Sequence, residues 1–162
     1  MPCVPSLGVG GHCIPVNPYY LLSNSSFPLL EAASEKMKNR PAMIAQRALE
    51  TVWQKTACAS DFRTPRVLVV GVGFKAGQST LCNSPGLDLA KSLVLSKQVD
   101  VSWADSLVPQ SNIPEIPRLD MLEWSKDGLQ QFDMITGINK QDGMDFEVID
   151  ALQGDLVEMW CR

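Results

Sequence analysis

The pattern of apolar and polar positions divides the chain into three stretches. Residues 1 to about 26 carry Gly, Pro, Ser and Asn at high density with no sustained period, as expected of a loop shaped by special backbone angles. From Phe27 to about Cys58 the pattern becomes helical. Ile44 and Ala45, Ala48 and Leu49, and Val52 and Trp53 recur every four residues, with Gln46, Arg47, Glu50, Gln54 and Lys55 on the opposite side. Pro41 suits the first turn of this helix over Pro41–Cys58 and separates it from an earlier one over Pro28–Lys38.

After a polar linker, Ala59–Thr64, strands alternate with helices. Val67-Leu68-Val69-Val70 is a short β-branched apolar run, the form of a strand buried on both faces of a parallel sheet, and Gly71-Val72-Gly73 ends it. Ser84 caps a helix with Pro85 at its first position and Leu89, Ala90, Leu93 and Val94 on its inner face. Val99–Trp103 reads as a second strand with Asp105 just past its end. Asp133–Ile138 reads as a third strand, Phe146–Leu152 as a short helix and Leu156–Trp160 as a final strand. This order predicts an α/β fold with a right-handed crossover and a mostly parallel sheet over 65–162, preceded by a loop and helices over 1–64. Trp53, Trp103, Trp124 and Trp160 are expected to pack in the core or against a partner.

Composition narrows the class. The 162 residues hold 18 acidic and 14 basic side chains, a net charge of −4, which argues against a nucleic-acid footprint. No run approaches the roughly 20 apolar residues of a membrane span. Met1-Pro2-Cys3-Val4-Pro5 lacks the marks of a secretory signal, so a cytoplasmic setting is expected. The five cysteines, Cys3, Cys13, Cys58, Cys82 and Cys161, are odd in number and include no Cys-x-x-Cys pair; reduced thiols are expected rather than disulfides or a metal site.

Leu7-Gly8-Val9-Gly10-Gly11-His12-Cys13-Ile14-Pro15-Val16-Asn17-Pro18-Tyr19-Tyr20 is the most specific segment. Its glycines let the backbone approach a ligand closely, and its prolines stiffen the loop beyond. A thiol at Cys13 is then placed to attack a bound carbonyl. A Gly- and Pro-rich turn with an incidental cysteine accounts equally well for the spacing. His12 adjoins Cys13, but neighbours in an extended loop point in opposite directions. Gly71-Val72-Gly73 with Gly77 is spaced G-x-G-x-x-x-G rather than G-x-G-x-x-G, and Asp105 lies farther on than the roughly 20 residues usual for a ribose-binding acid, so no NAD site is expected there.

The loop from Gly8 to Leu21 closely resembles the active-site loop of the UDP-glucose/GDP-mannose dehydrogenase family, G-x-G-G-H-C-I-P-V-D-P-Y-Y-L. Val69-Val70-Gly71-Val72-Gly73-Phe74-Lys75 through Asn83-Ser84-Pro85 resembles the segment opening that family's C-terminal, UDP-binding domain. The resemblance implies a Rossmann-like UDP-sugar-binding domain over 65–162, preceded by the cysteine loop and dimerisation helices over 1–64. It also implies NAD-dependent oxidation of a UDP-sugar C6 hydroxyl to a carboxylate, through a thiohemiacetal and a thioester on Cys13. The histidine in the loop points to the UDP-N-acetylhexosamine branch. By position, Gly10 and Gly11 contact the sugar, Lys75 pairs with the anionic end of the substrate, and the partners are a UDP-sugar and a second copy of the chain.

Two departures change this picture. Asn17 stands at the family's aspartate position and cannot accept a proton from water as a carboxylate does. Cys82 stands at the arginine position on the cofactor side, which removes a fixed cation; Gly77, Ser79 and Thr80 replace the motif's acidic positions. The family's NAD-binding domain precedes the cysteine loop and is absent from these residues, so this chain alone is expected to be inactive. Two readings follow: the substrate-binding part of a nucleotide-sugar 6-dehydrogenase of polysaccharide biosynthesis, or a non-catalytic nucleotide-sugar-binding or dimerisation module.

Overall fold

Strand β1 (Arg66–Val70) is apolar from Val67 onward, and each of those four side chains is buried. A strand with two buried faces needs cover on both, and the computed structural model, which describes residues 7–56, 63–152 and 157–161, provides it. β1 pairs in parallel with β2 (Asp100–Ala104) on one side and β3 (Met134–Gly137) on the other. β3 pairs in parallel with β4 (Val157–Met159), so the order is β2-β1-β3-β4. Arg63 grips the Asp133 carboxylate with both guanidinium nitrogens (2.8 and 2.7 Å), and the Arg66 amide donates to the same group at 2.7 Å. That pins the starts of β1 and β3 together.

The strand period of two sorts the core into two layers. Val67 and Val69 face helices α2 (Pro28–Thr56) and α3 (Pro85–Ser96), meeting Ile44, Ala48, Leu49, Val52, Leu89 and Leu93. Leu68 and Val70 face the opposite layer, where Leu129 of the short helix α4 (Lys126–Leu129), Phe132 and Ile149 of α5 (Glu147–Asp150) lie. Burying each such side chain contributes about 1.5–3 kcal/mol. Ser84 caps α3 as expected: its hydroxyl accepts from the Leu87 amide at 3.4 Å and donates to the Val72 carbonyl at 2.6 Å. The all-parallel α/β fold matches the sequence expectation.

Four expectations change. Helix α1 (Asn17–Leu22) lies inside the stretch read as loop, started by a turn in which the Cys13 carbonyl accepts from the Val16 and Asn17 amides. The two helices expected around Pro41 are one, α2, with Pro41 in its interior. An interior proline costs about 3 kcal/mol, but Pro41 is buried beside Gly8, and the half that follows it packs along the sheet. Trp53 and Val94 turn outward, 41% and 39% exposed, because a four-residue spacing drifts off a 3.6-residue helix face. Trp103 is buried and donates from its indole to the Ile116 carbonyl at 2.9 Å. Cys3, Cys58, Leu156 and most of the linker Ala59–Thr64 lie outside the described residues. Among the described residues no helix is long and apolar enough to cross a membrane.

Candidate functional site

The cysteine loop is strapped to the start of α3. Leu7 is fully buried in the core shared by α2 and α3 and anchors the loop at its base. Gly10 follows, so close to the neighbouring segment that a Cβ there would stand 2.8 Å from both the Asn83 carbonyl oxygen and the Pro85 ring. Gly11 adopts φ +95°, a left-handed conformation that favours glycine, and lies against the Phe74 ring. Its amide donates to the Cys82 carbonyl at 3.0 Å, and its carbonyl accepts from the Asn83 side chain at 2.9 Å. The glycines thus fit the loop against Phe74, Asn83 and Pro85, which joins the two sequence motifs into one surface. Phe74 and Asn83 had no assigned role in the sequence; their contacts cross more than sixty positions and leave no local signal.

Past this strap, Cys13 is exposed. Asn17 is exposed at the first position of α1, its amide donating to the Cys13 carbonyl at 2.8 Å. His12 turns away from Cys13: its Nδ1 lies 3.3 Å from the Cys82 Sγ. Lys75 is exposed, next in the chain to Phe74. Beside the loop, a hollow of about 410 Å³ opens between Ile14 to Val16, Tyr19 of α1, Met37 and Pro41 of α2, and Pro85 and Asp88 of α3. Shielding from water pushes the Asp88 carboxyl above its ordinary value of 3.8, with Lys91 pulling less strongly in the opposite direction.

The crevice at the carboxyl ends of β1 and β3, where strand order reverses, is the usual place for a nucleotide in an open parallel sheet. Here it is closed by the protein's own polar groups. Asp105, fully buried, accepts at Oδ2 from the Gly73 amide (3.1 Å) and the Gln141 side chain (3.0 Å), and at Oδ1 from the Leu107 and Val108 amides (2.9 and 3.2 Å). Gln141 accepts from the Gly77 amide at 2.7 Å and donates to the Gln78 carbonyl at 3.2 Å. A dinucleotide diphosphate needs such amides free, and here Asp105 takes the Gly73 amide and Gln141 the Gly77 amide. The described residues therefore do not fit NAD at this crevice. Asp105 and Gln141, 36 positions apart, act as fasteners for the loop carrying Lys75.

No protein-family model matches the chain. Curated relatives do: UDP-N-acetyl-D-mannosamine dehydrogenase of Yersinia pestis is 30% identical over 141 residues, covering 81% of this chain and 32% of its own. The enzyme of the same name from Campylobacter jejuni is 27% identical over 115 residues, covering 70% of this chain and 25% of its own. The chain thus spans about a quarter to a third of the length of these relatives. Among solved structures, a UDP-D-ManNAc dehydrogenase from Pyrococcus horikoshii superimposes with a TM-score of 0.70 at 24% identity, covering 96% of this chain and 35% of that one. In sequence the chain is thus similar to a C-terminal portion of UDP-N-acetyl-D-mannosamine dehydrogenases, and it shares the fold of a solved one.

Proposed function

We propose that this chain is the substrate-binding portion of an NAD-dependent UDP-sugar 6-dehydrogenase acting on a UDP-N-acetylhexosamine, with Cys13 as its nucleophile. The observation that carries this reading is the strap: two segments some seventy residues apart are fitted glycine against ring and proline, leaving Cys13 exposed on a fixed turn. In this reading the Cys13 sulfur adds to the C6 carbonyl carbon of the sugar, an S–C bond forms, and the carbonyl oxygen takes up a proton to give a thiohemiacetal. Lys75 offers a mobile ammonium to the diphosphate. Asn17 can hold a water by hydrogen bonding but cannot take its proton, an observation that favours the second reading, a nucleotide-sugar-binding module without turnover. The exposed apolar side chains of α2, Leu29 at 74% and Met43 at 65%, are offered to a second copy of the chain.

Calorimetric titration with UDP-N-acetyl-D-mannosamine tests the binding role. Heat of binding is expected, with affinity about tenfold weaker in Lys75→Ala, the loss of one charge-assisted contact. No binding of any UDP-sugar, or equal affinity of the two proteins, contradicts the reading.

A further inference from the structure

The family likeness implies one working thiol, yet the chain's single histidine serves another. His12 Nδ1 lies 3.3 Å from the Cys82 Sγ, and the Asn83 amide nitrogen approaches the same sulfur at 3.6 Å. Cys82 is half-buried and His12 exposed, so the pair is open to small molecules. A sulfur within hydrogen-bond reach of an imidazole, with a side-chain amide also close to it, has the spatial relation of a nucleophile to its base. The three groups come from two segments joined by the same strap: the Gly11 amide donates to the Cys82 carbonyl, and the Asn83 side chain donates to the Gly11 carbonyl. The thiol–imidazole geometry is therefore held from both sides. The contrast lies within the molecule: the Cys161 thiol, at the other end of the sheet's sequence, is pushed up by burial, which disfavours its thiolate.

We propose that Cys82 and His12 form a reactive thiol–imidazole pair, a modification site for low-molecular-weight disulfides placed directly against the cysteine loop. In the exchange, His12 Nδ1 accepts the thiol proton as the Cys82 sulfur attacks one sulfur of the small disulfide. A new S–S bond forms to Cys82, the original S–S bond breaks, and the released thiolate leaves with the proton. One disulfide is consumed and one formed, so no further oxidant is needed. The group attached at Cys82 stands in the segment that the Gly11 amide binds, two residues before Cys13 in the loop. The proposal concerns the reactivity of this thiol and does not depend on which sugar is bound.

The test is timed exposure of the whole chain to oxidised glutathione at neutral pH, with each thiol followed by peptide mass mapping. The mixed disulfide at Cys82 is expected to form about tenfold faster than at Cys161. In His12→Gln the Cys82 rate is expected to fall about fivefold or more, with the Cys161 rate unchanged. Equal rates at Cys82 and Cys161 in the unaltered protein would overturn the proposal, and that comparison requires no variant to fold. An unchanged Cys82 rate in a folded His12→Gln protein would overturn it equally.

Discussion

At the residue scale, the site is defined as much by what its polar groups are already doing as by what they could do. Asp105 has the position, at the end of the second strand, from which an acid usually reaches a ribose, yet all its donors are internal. Asp88 behaves differently. It lines the apolar hollow, and partial burial raises its pKa, so the folded chain holds its proton more tightly than the unfolded chain does. Stability from this group is therefore fully present below the ordinary carboxyl range and declines as pH rises through the higher folded value. Asp88→Asn is expected to unfold at higher urea than the parent at pH 7, with the two midpoints converging as pH falls towards 3.8. Midpoints that stay apart by the same amount at both ends would show that shielding is not the cause. The motif residues Gly10, Gly11, Cys13 and Lys75, the candidates for the proposed site, stand out in the sequence because short runs of unusual residues do. The roles of Asp105, Gln141 and His12 were not legible there, since each is decided by a partner between 32 and 70 positions away.

At the scale of elements, the parts that sequence reads well are those whose burial is continuous. β1 and β3 are apolar at nearly every position because both their faces are covered, and α3 announces itself by Ser84, Pro85 and a regular inner face. Helix α1 gave no such signal: it buries no residue and exists because the Cys13 turn delivers the chain into it. The continuity of α2 through Pro41 was equally hidden, since the local rule of a broken helix is overridden by packing against Gly8 and the sheet. The strap between loop and α3 is the element-level feature most open to test. In Gly10→Ala the new methyl meets a backbone carbonyl and a proline ring at 2.8 Å, neither of which yields as the end of a flexible side chain would. Urea denaturation is expected to show a loss of about 1–3 kcal/mol, accompanied by weaker UDP-sugar binding. Unchanged stability would mean that the loop is not seated against Asn83 and Pro85 as described.

At the scale of the whole molecule, a parallel sheet with a closed switch-point crevice carries the proposed site to one side. The crevice is occupied by Asp105 and Gln141, while the exposed cysteine, the paired thiol at Cys82 and the hollow beside α2 gather around the start of α3. The sheet thus serves as a rigid base, and the two strapped loops form the proposed working surface. The α/β class was legible from alternation of strand and helix alone. The location of the working surface was not, because a glycine pattern after β1 reads the same whether its amides await a phosphate or are held by a carboxylate. The central claim is that this surface receives a UDP-sugar. Amide hydrogen exchange with and without UDP-N-acetyl-D-mannosamine tests it most directly. The account predicts added protection in residues 8–17 and 71–84, with none there on addition of NAD alone. Protection by NAD in 71–84, or UDP-sugar protection confined to other segments, would contradict it.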